Sequence, residues 1–323
     1  MADPLWIDNS TFNATASCDT RALLRYVHGW TSQDDSLALR AGTAIHACLE
    51  TYFKTGDRKA ALKAFRADYE EWAAANVPID GWPVKYAFEN IRDILKTWMR
   101  RHPLAQEPYK VFPDLVEVGF SFILDELEQI YFYGRYDAIV EEKASGQLYV
   151  LDHKSTGQIT SDWAHAFKLS TQMTGYVWAA QQLLGGKRVS GAIINGIQVS
   201  KLPDIKHKLN GEVYKCREHG VGIDECRLTH TKESLAITQR DPHEIDVWKR
   251  DAVRLAKKFR KLAAKYPTVE SVSDAPQQGK FSGACKFCDF RFYCEVGRPA
   301  AIIETMLKFE PWKPFDPSKE KTK

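Results

Sequence analysis

Long apolar runs are missing from this sequence: none approaches the roughly 20 residues of a membrane-spanning helix. The opening Met-Ala-Asp-Pro-Leu-Trp also lacks the basic and apolar regions of a secretory signal. Together these two absences predict a soluble, intracellular protein, cytoplasmic and without a membrane partner. Charge of one sign is scarce too. The 45 Lys and Arg stand against 42 Asp and Glu, a net charge of only +3, so any signal for a polyanionic partner has to be local. No G-x-x-x-x-G-K-[ST] phosphate loop is present, which excludes that kind of nucleotide-driven motor. The seven cysteines are an odd number in a long chain without a secretion signal, and they argue against a disulfide framework. Of these, Cys48, Cys216 and Cys226 have no ligand-like neighbours and read as buried or incidental thiols.

What is present is an ordinary globular composition. The chain has 323 residues and 44% hydrophobic content, enough for one large domain or two small ones with a full core. The most informative stretch runs from Tyr131 to Lys154. Tyr131, Tyr133, Arg135 and Asp137 alternate along one strand, which is expected to continue to Val140. Glu141 to Gly146 form a polar turn, and Gln147–Leu151 form a second strand ending in Asp152-His153-Lys154. Side chains two apart on a strand share a face, so Asp152 and Lys154 project together and His153 faces away. Asp137 is placed to converge on the same spot. Two carboxylates and a lysine there suit a hard cation such as Mg²⁺, which polarises a phosphodiester and acidifies a water. The lysine would orient that water or neutralise developing charge. Taken alone, the same residues also fit a solvated strand end.

Around this hairpin the periodicities predict mostly helix on the N-terminal side. A short helix runs through Leu23, Leu24 and Val27. A helix from Gly42 to Lys54 carries Ile45, Leu49 and Tyr52 on one stripe, with Gly56 just past its end. His46, one position round from that stripe, fits either a packed core residue or a ligand. Asp57 caps a helix to about Asn76, and another runs from about Lys85 to Arg101. Leu115–Phe122 alternates at period two and reads as the first strand. It includes Glu117, which reads equally as a site residue or a solvent-facing one. After Lys154, a long helix is expected from Ser161-Asp162 to about Leu184, with Gln172 and Tyr176 on one face. A buried strand follows at Val189–Ile194, in the pattern of a right-handed parallel crossover. Residues 200 to 240 read as edge strands (Gly211–Cys216, Glu225–Thr229, Ser234–Thr238). Val247–Tyr266 is an amphipathic helix whose outer face carries eight Lys and Arg, a surface that is simply solvated or tracks phosphates.

The ordered set Gly42-x-x-x-His46, Gly134-Arg135-Tyr136-Asp137, Asp152-His153-Lys154, Gln172-x-x-x-Tyr176 and four cysteines resembles the PD-(D/E)XK nuclease superfamily, in its RecB/AddB-like branch. Each piece is common; the order over Cys18 to Cys294 is what carries the resemblance. It implies an α/β fold with a central mixed β-sheet flanked by helices, a restriction-endonuclease-like core. A helical N-terminal segment and a C-terminal iron–sulfur staple would complete it. In this reading His46, Asp137, Asp152 and the backbone carbonyl of His153 bind Mg²⁺ or Mn²⁺. Lys154 orients the attacking water, and Gln172 and Tyr176 position substrate. Glu117 matches a strand glutamate of the family.

The run Cys285-x-x-Cys288-x5-Cys294 suits a metal better than a core, and four thiolates are typical of iron–sulfur clusters and of structural zinc. No second Cys-x-x-Cys pair follows, as a zinc ribbon would require. The resemblance supplies Cys18 as fourth ligand and a [4Fe–4S] cluster rather than zinc. The expected organisation is a single nuclease domain over 1–310: a helical part at 1–110, a catalytic core at 111–200, extra strands and the basic helix at 201–284, and the cluster loop at 285–294. A poorly ordered Pro- and Lys-rich tail, 311–323, follows. The expected activity is exonucleolytic cleavage of single-stranded or end-bearing DNA. A helicase or recombination partner would fit, in recombination, repair, phage DNA processing or CRISPR-associated processing, and in a host cell if phage-encoded. A non-catalytic iron–sulfur DNA-binding module and an endonuclease of the same superfamily are the alternatives.

Overall fold

A computed structural model describes residues 3–33, 36–78, 82–202 and 231–313. Its centre is a mixed six-stranded sheet made of β1 (Leu5–Ile7), β3 (Tyr109–Asp125), β4 (Ile130–Glu142), β5 (Leu148–Thr156), β6 (Val189–Gln198) and β7 (Glu233–Gln239). A separate two-stranded ladder joins β2 (Trp30–Ser32) to β8 (Leu307–Phe309).

The hairpin read from sequence is β4–β5, antiparallel from Ala138↔Leu151 to Glu141↔Leu148. Beyond that point the two strands part. The first half of β4 pairs instead with β1, in parallel, at Ile130–Phe132. Meanwhile β5 continues in parallel with β6 from Tyr149↔Gly191 to Thr156↔Gln198. Asp137 and Asp152 therefore lie at a fork, one residue past the last β4–β5 pair. The β5–β6 pairing confirms a parallel crossover, with α6 (Thr171–Leu183) between the strands.

Two helical layers cover the sheet. One packs α3 (Leu37–Thr55), α4 (Arg58–Asn76) and α5 (Phe88–Arg101) against Ala138, Val140, Tyr149, Leu151 and Ile193. The other packs α6 and α7 (Pro242–Lys265) against Phe120, Phe132, Tyr136 and Val150. Caps set the helix starts, at Asp57 as the sequence suggests and at Asp241, so that α7 begins at Pro242 rather than at the expected Val247. Asp57 accepts from the amides of Lys59 and Ala60 at α4, and Asp241 from that of Glu244 at α7. Gly56 ends α3 with φ +70°, a left-handed geometry that costs glycine least.

Several boundaries differ from expectation. Leu5–Ile7 is the true first strand, too short for a period-two pattern to register, and β3 is longer than Leu115–Phe122. The predicted helix from Ser161 begins only at Thr171, where Ser170 caps it. Residues before it form turns and a 3₁₀ turn, Ala164–Phe167, because Trp163 must fold back over Gly196, where an added Cβ would come within 2.4 Å of its ring. Lys85 sits in a 3₁₀ turn rather than in α5, and Leu23–Val27 is a π turn after the short helix α2 (Asp19–Ala22). Ser234–Thr238 does form a strand, within β7. Gly211–Cys216, Glu225–Thr229 and the thiols Cys216 and Cys226 lie outside the described residues. At the start of the expected tail, Trp312 packs edge-on to Tyr26, with ring centroids 5.1 Å apart; 314–323 also lie outside the described residues.

Candidate functional site

The fork between β4 and β5 frees backbone groups that a continuous ladder would have paired. The amide of His153 donates instead to Asp137 Oδ2 at 2.5 Å. The other oxygen, Asp137 Oδ1, lies 3.2 Å from His46 Nδ1. Helix α3 delivers that imidazole because it passes close over β5. At Gly42 an added Cβ would stand 3.2 Å from Ser155 Oγ, and His46 is one turn further along the same face. The Gly-x-x-x-His spacing thus has a mechanical reason.

Glu117 completes the group. It lies on β3 between Val116, opposite Ala138, and Val118, opposite Tyr136, and so stands beside Asp137. Its φ of +53° is in the left-handed region, strained for a glutamate. Among the described residues, His46, Glu117 and Asp137 form a trio with ligand atoms all within 4.8 Å of one another. Asp152 is not in that trio. Its Oδ2 contacts Lys154 Nζ at 2.7 Å but off the hydrogen-bond direction, and it has no hydrogen-bond donor.

Lys154 is held in turn. Its ammonium donates to Gln172 Oε1 at 3.2 Å, and Gln172 Nε2 donates to the Tyr176 hydroxyl at 3.0 Å. The i, i+4 pair on α6 therefore reaches the site through Lys154. Burial and two neighbouring rings, Phe120 and Tyr136, fix Tyr176, and burial pushes its hydroxyl well above the ordinary range. The side chain of His153 does face the opposite way. It accepts from Asn195 Nδ2 at 2.8 Å and packs beside Phe53, and burial pushes it down to about 3, so it is neutral. Asn195 escaped the sequence reading, since a polar residue inside a buried strand carries no role until its neighbour is known.

The electrostatics show a surplus of negative charge. Burial raises Glu117 to about 7, and the nearby Asp137 charge adds to it. Burial raises Asp152 to about 6, with Lys154 opposing and Asp137 reinforcing. Burial alone would lower His46, but the hydrogen bond to Asp137 and the charges of Asp137, Asp152 and Glu117 lift it to about 8. Burial would likewise raise Asp137, yet His46 and the His153 amide hold it below the usual carboxylate range. Three carboxylates face one lysine and one histidine, with the exposed Arg135 guanidinium 3.9 Å from Glu117 at the rim, and two of them still retain protons more tightly than free acids do. A hard divalent cation with oxygen ligands would relieve that crowding of buried carboxylates. The residues fit such an ion.

Cys18, Cys285, Cys288 and Cys294 line one cavity of about 530 Å³ between the end of α1 (Asn9–Ser17) and the segment 277–295. None is in a disulfide. Gly279 closes this cavity, where an added Cβ would sit 3.4 Å from both Cys18 Cβ and Cys285 Sγ. Three of the eight cations on the basic face of α7 pair with acids of other elements. Lys257 pairs with Asp125 and Glu128, Arg260 with Glu128, and Lys258 with Asp19.

A forked sheet carrying buried carboxylates, a histidine and a lysine has the donor set of a divalent-cation site. The family model of the PD-(D/E)XK nuclease superfamily matches residues 9–295. The chain belongs to that superfamily, whose members are typically metal-dependent nucleases that use divalent cations. No curated protein matches the chain.

Proposed function

We propose that this protein is a Mg²⁺- or Mn²⁺-dependent deoxyribonuclease of the RecB/AddB-like kind, an exonuclease acting on single-stranded or end-bearing DNA. The observation that carries the reading is the buried surplus of carboxylates at the β4–β5 fork with Lys154 beside it. His46, Glu117, Asp137 and Asp152 would hold the cation, with the carbonyl of His153 as a further ligand. When bound, the cation supplies polarisation of the scissile phosphate and acidification of a nearby water.

The chain's own groups do the rest. Asp152 holds the Lys154 ammonium close, 2.7 Å from its Oδ2. Lys154 donates a hydrogen bond to the attacking water and balances charge that builds on the phosphate. Gln172 orients the lysine, and Tyr176 orients Gln172. The glutamate on the kinked β3 strand joins the ligand set proposed from sequence.

The four cysteines are read as ligands of a [4Fe–4S] cluster that staples the N-terminal helices to the C-terminal segment. Two features support a cluster over zinc. Four thiolates on one zinc, at about 2.3 Å each, would stand only about 4 Å apart. Yet no trio of the described cysteines lies within 4.8 Å. The cavity between them also has room for a bulkier group. The staple would reinforce contacts already made there: Thr20 Oγ1 donates to Pro276 O at 2.9 Å and Gln278 Nε2 to Asp19 Oδ2 at 2.7 Å.

The DNA would be presented by a helicase or recombination partner, in recombination, repair, phage or CRISPR-associated processing. The test is incubation with Mg²⁺ or Mn²⁺ and end-labelled linear DNA beside covalently closed single-stranded circles. Mononucleotide or short products from linear substrate alone support an exonuclease. Cleavage of circles makes it an endonuclease, and binding without cleavage makes it a non-catalytic module.

A further inference from the structure

The segment around the cysteines divides its aromatic residues between core and solvent. Phe290 and Tyr293 are buried in a small core with Leu23, Leu262 and Val272. Phe281, Phe287 and Phe292 face solvent, 95%, 85% and 70% exposed. None of the three lines the cysteine cavity, where the only aromatic is Phe290. Shielding whatever the thiols hold therefore does not explain them. Each exposed ring directly follows a cation, in the pairs Lys280-Phe281, Lys286-Phe287 and Arg291-Phe292, of which Arg291 also donates from Nε to Glu295 Oε1 at 2.7 Å. The Lys286 ammonium sits 5.3 Å from the centre of the Phe287 ring.

Exposed phenyl rings interleaved with cations are the combination that binds single-stranded nucleic acid without reading sequence. Bases stack on the rings and the cations meet the phosphates. A protein partner would favour a contact centre depleted of charge. The location agrees as well. Helix α1 ends at Cys18 beside this segment, and at its other end Asn9 Oδ1 lies 3.4 Å from Thr171 Oγ1, next to Gln172. Nine residues of helix span about 14 Å, so α1 links the cysteine segment to the neighbourhood of Gln172.

We propose that Phe281, Phe287 and Phe292 form a base-stacking platform for single-stranded DNA, with Lys280, Lys286 and Arg291 on its backbone. It would grip the strand whose end lies at the β4–β5 fork. The inference rests on the nuclease reading and deepens it by naming where the substrate is held.

The experiment measures binding by fluorescence anisotropy, with the full chain purified anaerobically and Asp152→Ala as background so that substrate stays intact. The probe is a labelled oligothymidylate of about 20 nucleotides, longer than one such site, beside an abasic strand of equal length. Replacing all three phenylalanines by Ala should lower affinity for the oligothymidylate by about tenfold or more. The dependence on salt should not change, since no charge is lost. Phe→Tyr at all three positions should restore binding. The abasic strand should bind both proteins as weakly as oligothymidylate binds the Ala variant. Lys280, Lys286 and Arg291→Ala should instead flatten the salt dependence.

Equal melting temperature and iron content show that the variants fold. Unchanged oligothymidylate affinity in the Ala variant would overturn the platform, as would an equal loss on the abasic strand. Loss of self-association or of sedimentation with anionic vesicles, with DNA binding intact, would assign the rings to another partner and overturn it too. If the protein without any of these substitutions neither binds nor cleaves DNA, the nuclease reading itself fails, a result distinct from the others.

Discussion

Replacing His46 by Gln tests the site at its most charged point, because a proton and the proposed cation compete for the imidazole. In the metal-free site His46 holds its proton up to about 8, against the pull of burial, because Asp137 lies 3.2 Å away. Binding a cation requires that proton to leave, so affinity must rise with pH. A group titrating near 8 is about 1% deprotonated at pH 6 and half deprotonated at pH 8, an increase of about 50-fold. An unperturbed histidine would give only about fourfold. Glu117, held near 7, adds about tenfold, and Asp152, near 6, about twofold. Treated as independent, the three predict that Mn²⁺ affinity improves by about a thousandfold over those two pH units. His46→Gln should bind more weakly at pH 8 and keep only about a 20-fold dependence. Calorimetric titration of Mn²⁺ without DNA, in buffers of different ionisation enthalpy, reads both affinity and protons released. Near pH 7 the unsubstituted protein should release about one proton more than the variant. Identical pH profiles and proton counts for the two proteins, at equal folded fraction, would refute the assignment of His46 as a ligand.

Lys154→Ala should lower cleavage by about 10²-fold or more while leaving the melting temperature nearly unchanged. Gln172→Ala, which only frees the lysine, should cost about tenfold; equal activity of all three proteins in a single-turnover assay would remove Lys154 from the chemistry. Cys18→Ser should cost brown colour and iron in anaerobic protein, and lower the melting temperature by about 5 °C or more; stoichiometric zinc without iron or sulfide would refute the cluster and leave the staple. His102 bridges Glu107 at 2.8 Å and Glu233 at 3.2 Å, and these partners outweigh burial to raise it to about 9. A raised histidine stabilises fully below its unfolded value near 6.5 and loses that contribution as pH rises through about 9. With the ring one-quarter exposed, about 2 kcal/mol should vanish over that window. Denaturant titrations of His102→Gln should lack this decline, and a decline of equal size would sink the argument.

The sequence by itself determined whatever depends on neighbours along the chain. The alternation through Leu151-Asp152-His153-Lys154 put Asp152 and Lys154 on one face and His153 on the other. The structure agrees, because a strand's period of two is a property of the backbone alone. The cap at Asp57, the stop at Gly56 and the stripes of α3 and α7 were legible for the same reason. Gly42-x-x-x-His46 was legible as a pattern, but its cause was not, since it lies in the approach of α3 to Ser155.

Only the tertiary structure could decide what depends on two distant segments meeting. Glu117 looked like either a site residue or a solvent-facing one. Its place beside Asp137 comes from the register of β3 on β4, on a left-handed backbone that no side-chain pattern announces. Asn195 acquired a role only when β6 paired in register with His153. Ser161 looked like a helix start until Trp163 had to cover Gly196 on another strand. Cys18 gained its three thiol neighbours only through folding across more than 260 residues of chain. Local propensity writes the elements, but burial and charge between remote segments place the site, and that pairing appears only once the sheet has formed.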